Sequence, residues 1–226
     1  MIVHQQRPAL NIIAECWAQN AFGAGVAWRD HERVRWLKGQ FTNAEDVFTF
    51  TKTLPKPYII HFRIPTVGHS CDELCHPFPL DGTLALEGAT RDGVIAHNGH
   101  WPQWRQTLAQ FLPVARLPRG PWSDSRAMAW ITGQSGEGFL SLLDDAQKIV
   151  LFTPSRLERF GSWFAHDGIW FSNQWWANPP GFPLLLTDPR LTLTDDDLDV
   201  WDDLQAAFWD MVPPRLRPVH LRDGDT

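Results

Sequence analysis

Arg63, Asn98 and Gly99 are residue types that could do chemistry at the spacing this chain gives them. Arg63 sits in HFRIPTVG (His61 to Gly68) and the other two in VIAHNGHW (Val94 to Trp101), with CHPFPLDG (Cys75 to Gly82) between. A guanidinium is a planar fork of donors suited to a carboxylate. An asparagine amide beside the unobstructed N–H of a glycine is a donor pair suited to an oxyanion. Taken singly, the arginine reads equally well as half of a structural ion pair, and Asn-Gly as a hairpin turn. The elements that must position them are short. Tyr58, Ile59, Ile60 and Phe62 form one apolar run and Val94, Ile95 and Ala96 another, each reading as a buried strand that stops where the polar residues begin.

Four motifs follow one another in order: Arg63-x-x-Thr66-x-Gly68, His76-Pro77-Phe78, Ala96-His97-Asn98-Gly99 and Ser123-Asp124-Ser125. Together they resemble the class II glutamine amidotransferases, whose fold is that of the N-terminal nucleophile hydrolases, and within them the short stand-alone versions of bacteria and phages. The likeness begins at Asn20-Ala21-Phe22-Gly23-Ala24-Gly25, which is similar to the family's Asn-Pro-Asp-Gly-x-Gly loop, and reaches Trp170-Phe171-Ser172-Asn173.

The resemblance implies a mixed α and β fold, a four-layer α-β-β-α sandwich of two antiparallel sheets. It also implies the hydrolysis of glutamine to glutamate and ammonia, with no cofactor and no metal. Arg63, helped by Thr66, would hold the substrate's α-carboxylate and Asp124 its α-amino group, with His97 lining the same pocket. Asn98 and the Gly99 N–H would stabilise the oxyanion, a contribution of about 3 kcal/mol for one donor. Read from the residues alone, an acidic Asp124 in the first turn of a helix is equally explained by the helix dipole, and His97 by packing.

The family's nucleophile is a cysteine at the mature N-terminus, whose own α-amine serves as the base. Here that place is occupied by Met1 and Ile2, and a residue as bulky as Ile2 hinders removal of Met1. Cys16, Cys71 and Cys75 lie too far along the chain to supply the geometry. The expectation is therefore a relative that binds glutamine or a similar small amino acid, with little or no glutaminase activity. Two other readings stay open. One is an active enzyme whose start lies upstream of Met1, which would need a synthetase or ligase partner to accept the ammonia. The other is a structural or assembly protein of phage origin that docks a partner through a tryptophan-rich surface and an acidic C-terminal helix.

Length and composition bound these readings. The 226 residues suit one domain, here 1–226, with 179–226 a proline- and aspartate-rich extension; 43% hydrophobic and 20% charged residues are ordinary for a globule. A formal charge of -6, with no basic run among aromatics, excludes the usual nucleic-acid footprint. Three cysteines are too few for a disulfide framework, and neither a signal peptide nor a membrane-spanning run is visible, so the expected location is cytoplasmic. Cys71, Cys75 and His76, with His61 and His69 nearby, raise the question of a metal, but the spacing lacks the second local pair of ligands that a structural zinc site shows. The 13 tryptophans are most simply packing residues.

Periodicity predicts helices over 11–19, 43–54, 101–112, 124–131 (ending near Gly133) and 194–208. It predicts strands at 2–3, 26–29, 33–37, 58–62, 94–96, 148–152 and 168–172, with a hairpin turn at 30–32 and another at 166–168. The stretch 137–143 does not decide between helix and strand.

Overall fold

The computed structural model describes residues 2–4 (backbone), 7–63, 71–111, 116–174 and 177. Within them the chain is a mixed α and β protein with two antiparallel sheets. The first sheet has seven strands in the order β10 (Phe164–His166), β11 (Ile169–Phe171), β1 (Ile2–His4), β4 (Tyr58–Phe62), β2 (Ala24–Asp30), β3 (Arg33–Lys38) and β6 (Glu87–Thr90). The second has four, in the order β5 (Phe78–Pro79), β7 (Val94–Asn98), β8 (Lys148–Phe152) and β9 (Leu157–Phe160).

Alternation along the strands decides what each face of the larger sheet meets, because successive side chains point to opposite sides. Ala24 and Val26 of β2 and Tyr58, Ile60 and Phe62 of β4 pack with Ile13 and Cys16 of α1 (Leu10–Gln19) and Val47 of α2 (Ala44–Lys52). Ala27, Val34, Trp36 and Ile59, of the opposite parity, pack against Val94, Ala96, Val150 and Phe152 of the smaller sheet. On its other side that sheet carries α4 (Asp124–Ser135), in contact with β5 and β7 and with α3 (Trp104–Ala109).

Local chemistry explains the boundaries. Asn43 caps α2 as its type predicts, its Oδ1 accepting the Asp46 N–H at 2.9 Å. Ser123 caps α4 in the same way at 3.2 Å. The turn into β11 places Asp167 and Gly168 at positive φ (48° and 72°), the backbone that a two-residue hairpin needs.

Two expectations need correction. The helix predicted over 101–112 covers only Trp104–Ala109; ahead of it the Trp101 N–H donates to Asp124 Oδ2 at 3.1 Å. The helix from Asp124 does not stop near Gly133 but runs to Ser135. Gly133 is small for a different reason: a Cβ there would lie 2.2 Å from the Leu80 carbonyl oxygen. Residues 137–142 form a short 3-10 turn. The edge strands β6, β9 and β10 carried no readable alternation. No helix among the described residues is long and apolar enough to cross a membrane. The expected C-terminal helix, Met1 and Thr66 lie outside the described residues.

Candidate functional site

Strand parity puts the two donor motifs on facing surfaces. In β4 the residues of odd number, Ile59 and His61, point toward the smaller sheet, and Arg63 follows with the same parity just beyond the strand. In β7 the even-numbered Val94 and Ala96 point back, and Asn98 continues that row. The ends of the two strands are tied together by His61, whose Nε2 meets the His97 carbonyl at 3.0 Å. A carbonyl only accepts, so this nitrogen carries the proton and Nδ1 does not. Register places the start of β1 at the same end, Ile2 pairing with Ile60 on one side and Phe171 on the other.

Arg63 is buried at 4% exposure and donates from Nη1 to the Cys71 carbonyl at 2.9 Å. Asn98 donates its amide to Ser172 Oγ at 2.7 Å; Ser172 comes directly after β11. Thus the WFSN stretch of the sequence does reach the Asn98 side chain, through one hydroxyl.

His97 points the other way, toward α4. Its Nδ1 lies 2.9 Å from Ser125 Oγ and 3.9 Å from Asp124 Oδ2. Its Nε2 lies 2.8 Å from Gln147 Oε1, while Gln147 Nε2 donates to the His100 carbonyl at 2.9 Å. An amide oxygen accepts, so His97 is protonated on Nε2, and Gln147 spans the Asn98-Gly99 turn from one side to the other. Gly99 is the residue that permits this: a Cβ would come within 2.4 Å of Gln147 Oε1 and 2.8 Å of His97 Nε2.

Asp124 is held at the N-terminus of α4 by two backbone donors, the Trp101 N–H and the Ser125 N–H, with Ser125 Oγ 3.2 Å from its Oδ1. The structure therefore sets His97 beside Asp124 with Ser125 between them, places Asn98 on the opposite face of the same strand, and ties the end of β4, which Arg63 follows, to β7 through the His61 bridge. Burial pushes the His97 imidazole below its usual value, opposed by the nearby Asp124 carboxylate and the Gln147 bond.

Two of the buried polar residues of this region, Lys38 and Arg126, were not singled out in the sequence, and His76 was singled out only within its motif and as a metal candidate. Lys38 ends β3 on the face that Val34 and Trp36 turn toward the smaller sheet, with no exposure. Its Nζ donates to the Glu73 carbonyl at 2.8 Å and stands 4.3 Å from the Phe78 ring centroid. Desolvation brings its ammonium from 10.5 down to about 7. His76 stacks on His61 with centroids 3.9 Å apart, and neither of its ring nitrogens has a hydrogen-bond partner. Burial drives both imidazoles well below their ordinary range. Arg126, fully buried, donates to the carbonyls of Gly82, Arg119, Gly120 and Pro121 and so fixes the loop before α4. For Lys38 and Arg126 the only hint in the sequence was that they interrupt otherwise apolar surroundings.

Cys16 is the small buried hydrophobe its helix position suggested, its thiol pushed up to about 11 by burial. Cys75 is buried and its thiol is also raised, by desolvation, so neither is a ready thiolate. Among the described residues no three His, Cys, Asp or Glu side chains are placed to hold a metal; His69 lies outside them. The described tryptophans are all buried or half-buried, and Trp175, Trp176, Trp201 and Trp209 lie outside the described residues. Comparison with protein-family models and with curated proteins gives no match for this chain.

Proposed function

We propose that this chain is a class II glutamine amidotransferase-like protein of the four-layer N-terminal nucleophile hydrolase type, and that it binds a free amino acid of the glutamine class. The observation that carries the reading is the His61–His97 bridge. It brings the ends of β4 and β7 together so that Arg63 and Asn98 stand on facing inner surfaces at the end where β1 begins. A carboxylate clamp and an oxyanion donor pair must converge in this way. The activity proposed is amino-acid binding at this place, where the first strand reads Ile2-Val3-His4.

Titration calorimetry with glutamine tests it. Heat of binding is expected with the unmodified chain and not with Arg63→Ala, both checked for folding by circular dichroism. No heat with either protein rejects the reading.

A further inference from the structure

The inner face of the larger sheet holds a polar cluster in which Lys38 lies beside His61 and His76, residues of two of the motifs to which the glutamine reading gives no part in holding the ligand. Register aligns Lys38, Gly25 and His61 in one row across β3, β2 and β4. Gly25 has no side chain because the His76 carbonyl occupies that place; a Cβ would lie 1.7 Å from its oxygen. The segment carrying Cys75, His76 and Phe78 is thereby laid over the row. Lys38 and His76 both touch the Phe78 ring, and His76 covers His61.

The cluster holds a buried amine with no counter-charge beside it among the described residues. Lys38 is fully buried, and its one hydrogen-bond partner is the neutral Glu73 carbonyl; among the described residues it has no ion pair with a carboxylate. Among the described residues His76, 8% exposed, has two nitrogens without partners, one of them an N–H, and the unprotonated His61 Nδ1 has no donor. A neutral imidazole must carry one N–H, so His76 presents an unused donor beside a buried amine. Leaving such groups unmatched in a core is unfavourable. One acid group would supply what is missing, with a charge to match Lys38 and oxygens to accept from it and from His76. A carboxamide would offer a single acceptor oxygen, two further N–H donors and no charge.

We propose that Lys38 and His76, with His61 stacked behind His76, form a site for an acid group, so that the chain takes an anionic amino acid of the glutamate class in preference to its amide. This rests on the amino-acid-binding reading and names the ligand of that same region. Because Lys38 faces Cys75, Cys71, Arg63 and Arg126 and is largely deprotonated above neutrality, an arriving carboxylate also draws a proton onto its amine.

The test is calorimetry at pH 8 with L-glutamate and L-glutamine, each in two buffers of different ionisation enthalpy. Glutamate is expected to bind at least about tenfold more tightly than glutamine, with net uptake of a proton. Lys38→Met, which keeps the length of the side chain, should abolish both the preference and the proton uptake. His76→Phe keeps the stacked ring and should weaken glutamate alone, giving a second reading if the lysine variant does not fold. Glutamine binding as tightly as glutamate, or glutamate binding without proton uptake, overturns the acid site and leaves the amino-acid reading standing. If neither ligand gives heat, both are rejected.

Discussion

His61 Nε2 donates to the carbonyl of His97 across 3.0 Å, and this one bond joins a strand of the larger sheet to a strand of the smaller at the end where Arg63 and Asn98 emerge. Both partners are buried, so removing the donor leaves the carbonyl unsatisfied. His61→Phe, which retains the ring against His76, should cost about 1–3 kcal/mol in urea unfolding. It should also raise amide exchange at Asn98 and Gly99. An unchanged midpoint would show that the bridge does not hold the two motifs together.

The buried imidazoles and the buried amine give stability a definite pH dependence. His61, His76 and His97 are all lowered by desolvation, so the unfolded chain takes up protons below its ordinary histidine value of 6.5 while the folded chain does not. Stability must then fall as pH drops below that value. Lys38, at about 7 folded against 10.5 unfolded, acts with the same sign over the window between those values. The chain should gain stability from pH 5 to 9, with a slope of up to about 1.4 kcal/mol per pH unit for each proton involved. Lys38→Met should flatten the alkaline part only. Urea midpoints at pH 5, 7 and 9 measure this, and a flat profile would contradict the burial.

Two glycines to alanine should behave in opposite ways. At Gly25 the added Cβ would meet the His76 carbonyl oxygen at 1.7 Å, which no side-chain movement relieves. The loss should exceed about 3 kcal/mol or prevent folding. At Gly138 nothing lies within 4 Å and no positive φ is required, so the change should be neutral or stabilising by roughly 0.5 kcal/mol. Denaturant midpoints of the two variants decide it.

Arg126 satisfies four backbone carbonyls of two loops while its guanidinium lies 4.3 Å from the Trp122 ring centroid. Arg126→Met should free those carbonyls together, costing about 3 kcal/mol or more. Trypsin should then cut at Arg116 and Arg119 under conditions in which the parent is resistant.

A thiol at the start of β1 tests the family reading from the chemical side. Ile2→Cys, with Met1 removed and the new terminus verified by sequencing, places a cysteine and its free α-amine beside Ile60. Ammonia release from glutamine is expected at about ten times the parent's background or more. Background release from the correctly processed, folded variant would count against a latent glutaminase site.

The sequence by itself determined the elements whose signal is local. The caps at Asn43 and Ser123, the β2–β3 hairpin, the apolar runs at 58–62 and 94–96, and the place where each gives way to Arg63 and Asn98 all follow from residue types a few positions apart. Such signals need no knowledge of distant chain. Only the tertiary structure decided which face each residue serves. One position of register separates His97, turned to Asp124 and Gln147, from Asn98, turned to Ser172. Lys38 is fully buried because β3 ends beneath the 72–78 segment, a pairing 35 residues apart for its bond to Glu73. Gln147 clamps the Asn98-Gly99 turn from 50 residues beyond His97. Periodicity cannot carry such pairings, since the same alternation fits any partner sheet; close packing of the two sheets selects one.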